Sequence, residues 1–133
     1  MPRKKSKHPT ELELAILKVL WEASPRTVRE VREAMSGAGR DLAHTSLITT
    51  LNVMFDKRYV KRTAASEGRG YAFSPKVSRG DVSQNMVGEL LERVFEGSAP
   101  ALLLSLLEND QLNGADHGEL RQAIERYRKG GAK

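Results

Sequence analysis

The stretch HTSLITTLNVMFDKRY, His44 to Tyr59, reads as a helix with two unlike faces. Wound at about 3.6 residues per turn, it gathers Leu47, Ile48, Leu51, Met54 and Phe55 on one side. Thr45, Ser46, Thr49, Thr50, Asn52 and Val53 gather on the other. Threonine and asparagine are mediocre helix formers, so an outward face of hydroxyls and an amide gives up propensity for another use. Such groups suit base edges and phosphates, and the stretch is predicted to be a recognition helix. A solvated amphipathic helix is the plain alternative, and the flanking segments decide between the two.

Upstream lie two capping boxes. Thr10 to Glu13 opens a first helix, largely buried, on which Leu12, Leu14, Ile16, Leu17, Val19, Leu20 and Trp21 leave little polar surface. Ser24-Pro25 closes it, because the residue before proline is pushed out of the helical region. Thr27 to Glu30 opens a short second helix with Val28, Val31, Ala34 and Met35 inward and Arg29, Arg32 and Glu33 outward. Gly37 to Gly39 ends it, and a short turn leads into the polar-faced helix in helix-turn-helix order.

Downstream, Tyr59 to Ala65 and Tyr71 to Pro75 read as strands flanking Ser66-Glu67-Gly68-Arg69-Gly70, a hairpin with a flexible tip and basic Lys61, Arg62 and Arg69. Three helices and a basic hairpin describe a winged helix. Before them, residues 1–9 form a basic tail with Arg3, Lys4, Lys5 and Lys7. It serves either solubility or phosphate contact.

The expected organisation is therefore mainly α with a small β-hairpin. A winged helix-turn-helix domain spans residues 10–76, a helical dimerisation domain residues 77–129, and a flexible tail residues 130–133. In the second part Val82, Met86, Val87, Leu90, Leu91 and Val94 form an apolar stripe on a helix from about Ser78 to Glu96, ended by Gly97. Ser98 caps APALLLSLLE, apolar almost all round and expected to be buried, with Leu103, Leu106 and Leu107 among its apolar residues. Asn113 is the expected cap of a last helix containing Leu120, Ala123, Ile124 and Tyr127. A segment of this size is marginal alone, so it calls for a partner, and a second copy is the simplest. Packing back on the first domain is the alternative.

Charge follows the same division. Residues 1–76 hold 15 Lys+Arg and 8 Asp+Glu, a balance of +7, while residues 77–133 hold 7 and 9, a balance of −2. The first part suits a polyanion and the second a protein partner. No stretch approaches the ~20 apolar residues of a membrane span, and no secretion signal follows the basic N-terminus, so a cytoplasmic protein without membrane insertion is expected. With no cysteine, and His8, His44 and His117 scattered, no metal site and no cofactor is expected. An enzyme is not expected either. No nucleophile stands beside a base, and Gly68-Arg69-Gly70 lacks the strand-to-helix setting of a phosphate loop.

Several motifs in this order resemble the penicillinase-repressor family of bacterial transcription regulators, the BlaI/MecI type. They are TELELAILKVLWE at Thr10 to Glu22, TVREV at Thr27 to Val31, TSLITTLNVM at Thr45 to Met54, RGYAFSP at Arg69 to Pro75, and the segment from Val94 to Glu108. The resemblance implies a homodimeric repressor on a dyad-symmetric, double-stranded DNA operator, with the third helix in the major groove. It further implies release through a membrane-bound sensor carrying a zinc-protease domain, with cleavage inside the short helix after the first dimerisation helix. Ser105-Leu106 matches that position, where the best-known members carry Asn-Phe. Val53 stands where many relatives have arginine, and Arg58 where they have the glycine that ends the helix. A copper-sensing branch uses cysteines near the C-terminus, which this chain lacks.

Within this reading Thr45, Ser46, Thr49, Thr50 and Asn52 are the candidates for base contact, asparagine being able to pair bidentately with adenine. Arg26, Arg29, His44, Lys57, Arg62 and Arg69 are the candidates for phosphate contact. His117 is read as a satisfied structural histidine, and Met35, Met54 and Met86 as core. Two other functions compete. A ligand-sensing winged-helix regulator would replace proteolysis with a small molecule, and a winged-helix protein-interaction module would dock the same face on a protein.

Overall fold

The computed structural model describes residues 8–65, 70–109 and 114–130, of which 115, 129 and 130 are described by backbone alone. The chain forms two compact units that divide between Val87 and Gly88.

In the first unit, α1 (Glu11–Glu22), α2 (Val28–Gly37) and α3 (His44–Asp56) precede the antiparallel strands β2 (Val60–Ala64) and β3 (Tyr71–Pro75). Both capping boxes form. The Glu13 N–H donates to Thr10 Oγ1 at 3.2 Å, and the Glu13 carboxylate accepts from the Thr10 N–H at 2.9 Å. Thr27 and Glu30 repeat the exchange at 3.2 and 2.8 Å. A two-residue strand, β1 (Arg26–Thr27), joins the far side of β3 to give the order β1-β3-β2. Two residues show no periodicity, so the sequence pattern does not reveal this strand.

The core is built from one face of each element: Ile16, Leu17 and Leu20 of α1, Val31 and Met35 of α2, and Leu47, Leu51 and Met54 of α3. Val60 and Phe73 close it from the sheet. Burial of each such side chain contributes about 1.5–3 kcal/mol, enough to override the modest propensity of the threonines in α3. The first turns of α4 (Arg79–Arg93) also belong here, since Val82 lies in this core and Val77 and Met86 pack against it. Trp21 donates its indole N–H to the Val77 carbonyl at 3.0 Å, and the Arg79 guanidinium lies 4.8 Å from the centre of its ring.

The second unit comprises the end of α4, α5 (Ala99–Leu107) and α6 (Gly114–Gly130). Ser98 caps α5 as the sequence indicated, accepting from the Ala101 N–H at 3.2 Å. The burial expected of α5 is not found: it holds no buried residue, and Leu104 and Leu106 are 56% and 43% exposed. Short helices of one chain are too few to enclose a segment that is apolar all round. Ile124 and Tyr127 of α6 are exposed as well, and so is His117. The Asn113 cap lies outside the described residues. Among those described, no helix is long and apolar enough to cross a membrane.

Candidate nucleic-acid interface

Contacts outside the core fix the angle and register of α3. The Arg32 Nε–H donates to the Leu42 carbonyl at 2.9 Å, and the Ser36 hydroxyl donates to Asp41 Oδ1 at 2.7 Å. Arg40 and Glu11 form an ion pair on the surface, which holds the Glu11 carboxyl below its usual range. These bonds bind the turn between α2 and α3 to both preceding helices. The helical pattern places Arg32 outward and says nothing of Arg40, because both contacts depend on the path of the turn.

At its other end α3 stops in a Schellman arrangement. The Tyr59 N–H donates to the Met54 carbonyl at 2.9 Å and the Arg58 N–H to that of Phe55 at 3.0 Å, with Arg58 at φ 68°. Lys57, the cap residue, turns inward and meets the buried Glu13 carboxylate at 3.0 Å. Glu13 therefore caps α1 and ties down the end of α3 at once. Burial pushes the neighbouring Tyr59 phenol up from its ordinary value.

The face so positioned is the polar one. Thr45, Ser46, Thr49, Asn52 and Val53 are exposed, while Thr50 is half-buried and donates its hydroxyl to the Ser46 carbonyl at 2.9 Å. The N-cap of α3 is Ala43, whose side chain makes no capping bond, so the first N–H groups of the helix stay directed outward beside exposed His44. A helix start of this kind favours an anion.

The basic candidates sort into different environments. Arg29 is exposed and pairs with Glu33 at 3.3 Å. Arg26 donates through Nε to the Ala23 carbonyl at 2.8 Å. Lys57 is held by Glu13, and Arg69 lies outside the described residues. Arg62 lies on the core-facing side of β2, with its guanidinium carbon 3.9 Å from the centre of the Phe55 ring and 4.5 Å from that of Tyr71. Its Nη1 donates to Asn52 Oδ1 at 3.4 Å. The hairpin register pairs Arg62 with Phe73 and Ala64 with Tyr71, which sets both aromatic residues on the same side of the sheet as Arg62. Period-two alternation with Val60 already carried that signal. The charge of Arg62 marks it for phosphate contact, and the pattern does not show that its guanidinium rests on two rings instead.

The candidates for pairing between copies also divide. Val82 is buried and Met86 half-buried against the core of the first unit. Val87, Leu90, Val94 and Leu106 are exposed, and Leu91, Leu103 and Leu107 are half-buried. Ser105 is exposed within α5. No group of acidic residues and histidines suited to a metal ion occurs among the described residues.

A family model described as penicillinase repressor matches residues 9–126. The penicillinase repressor of Bacillus licheniformis is 29% identical over 128 residues, covering 94% of this chain and 95% of that protein. The transcriptional regulator BlaI of Mycobacterium tuberculosis is 35% identical over 117 residues, covering 86% and 80%. A structure of Staphylococcus aureus MarR in complex with salicylate and kanamycin aligns more loosely, at a TM-score of 0.46 and 10% identity, covering 86% of this chain and 67% of that one.

Proposed function

The chain belongs to the penicillinase repressor family, and from that premise we propose that it is a cytoplasmic transcriptional repressor that binds a dyad-symmetric operator as a homodimer. The observation that carries this reading is the polar face of α3, held outward at the end of a helix-turn-helix by Arg32, Lys57 and the core. Such a helix enters the major groove, and Thr45, Ser46, Thr49, Thr50 and Asn52 then lie against base edges. Arg26, Arg29, His44 and the wing, including Arg69, serve the phosphates. Each neutralised phosphate releases counterions and lowers the slope of log affinity against log salt by about 0.9. The hairpin follows the backbone while α3 reads sequence, which separates affinity from specificity.

The exposed apolar residues of the second unit supply the contact between copies. Release by an inducing signal, through a sensor-protease acting at Ser105-Leu106, completes the cycle. That bond lies inside α5, so cleavage requires the helix to open locally.

Selection of bound fragments from sheared genomic DNA, followed by footprinting across a salt series, tests the reading. The expected footprint is dyad-symmetric, with half-sites one helical turn or a multiple of it apart. Weak, sequence-blind binding that vanishes at moderate salt would overturn it and favour docking of the same face on a protein.

A further inference from the structure

We propose that Arg62 is a positioning residue for sequence readout. Held against the rings of both Phe55 and Tyr71, it turns the Asn52 amide so that its two N–H donors face the DNA, and Asn52 therefore reads a keto base, guanine or thymine. The inference rests on the reading of α3 as the DNA-facing helix.

The orientation of an amide is set by its partners, and here the partner leaves one choice. A guanidinium carries five N–H donors and no acceptor, so the amide atom that meets it is the carbonyl oxygen. Two rings, at 3.9 and 4.5 Å from its central carbon, restrict the guanidinium, and its N–H groups act along its edge. Phe55 stands three residues beyond Asn52 on α3, where the apolar and polar faces meet, so neighbouring positions of one helix supply both a stacking platform and the acceptor. Tyr71 brings the second platform from the hairpin. The arrangement thus couples the wing to the recognition helix through one side chain.

The consequence is chemical. Paired recognition of adenine needs the asparagine oxygen to accept from the adenine amino group while the nitrogen donates to the purine ring. With one lone pair of that oxygen turned to a guanidinium at 3.4 Å, an adenine amino group is left the second lone pair, where its positive N–H lies beside the cation and the oxygen accepts less readily. Guanine and thymine present acceptors without an amino donor at that edge, and they take the free N–H groups while the bond to Arg62 stays intact. The adenine pairing expected from the sequence gives way to a keto base once Arg62 is in place.

The test uses the full chain with Asn52→Ala, Arg62→Met, Arg62→Lys and Tyr71→Leu. Selection from randomised DNA first locates the base pair whose preference disappears in Asn52→Ala. Analogues at that pair then identify the contacted group. Loss of the keto-base acceptor is expected to weaken wild-type binding about tenfold, and loss of the exocyclic amino group to leave it unchanged. Neither change should matter to Asn52→Ala. Arg62→Met and Arg62→Lys are expected to relax the same preference, with the salt dependence of Arg62→Met that of the wild type. If Arg62→Met fails to fold, Tyr71→Leu loosens the same guanidinium from an exposed ring and carries the same expectation.

Sensitivity to the amino group in place of the acceptor would overturn the proposal. So would retained preference in Arg62→Met with a salt slope made shallower by about 0.9, the mark of a lost phosphate contact. A wild-type chain with no preferred sequence would instead overturn the repressor reading itself.

Discussion

Arg58 holds the backbone at φ 68° where α3 ends, a conformation in which a Cβ crowds the following carbonyl at a cost of ~1–2 kcal/mol. Glycine relieves that strain but frees the unfolded chain by ~0.4–1 kcal/mol, so Arg58→Gly is expected to stabilise the protein by about 0.5–1 kcal/mol. Urea unfolding should show a higher midpoint with an unchanged slope, and a lower midpoint would mean that the arginine makes a contact the backbone argument ignores. The departure of Arg58 from glycine was visible in the sequence, and so was the capping role of Glu13. The bridge from Glu13 to Lys57 was not, because it joins residues 44 apart in the chain. That bridge makes Glu13→Ala a sharper test than an ordinary cap deletion. It removes a cap worth ~1 kcal/mol and leaves a half-buried ammonium unpaired, so a loss of about 2–3 kcal/mol is expected by the same titration. A loss no larger than that of a cap alone would show that Lys57 finds solvent freely.

Elements with long periodic patterns were legible, and those defined by pairing were not. The bounds of α1, α2 and α3 follow from two capping boxes, a proline and a glycine run, and both hairpin strands follow from alternation around a glycine-rich tip. β1 escaped, since it exists only through its register with Phe73 and Ala72. For α3 the periodicity identified the polar face, but not the bond from Thr50 to Ser46 or the stack at Arg62. These belong to three-dimensional neighbours. The polar face also predicts opposed effects on stability and function. Thr49 is exposed, so Thr49→Ala gains about 0.5 kcal/mol of helix propensity and loses whatever its hydroxyl and methyl contribute to readout. The expected result is a slightly higher melting temperature together with weaker discrimination at one base pair. Unchanged discrimination would remove Thr49 from the base-contacting set.

In the whole molecule, the charge division places the basic surplus with the winged helix and the acidic one with the helices that follow, and apart from Val53 and Tyr71 the exposed large apolar residues described lie with the acidic part. A chain that leaves Val87, Leu90, Val94, Leu104, Leu106, Ile124 and Tyr127 open to water exposes more apolar surface than isolated side chains would explain. The sequence carried the apolar pattern of α5 but not its exposure, since a run apolar on all sides cannot tell burial within one chain from burial between two. Leu106→Glu places a charge in that surface without touching the core of the winged helix. If two copies meet there, sedimentation should show a monomer, with helical content and the unfolding of the first unit preserved. Binding to a single half-site should then survive, while affinity for the full dyad falls about a hundredfold or more, as expected when two linked contacts become independent. A variant that remains dimeric and keeps its dyad affinity would move the contact between copies away from α5, to the exposed residues of α4 and α6.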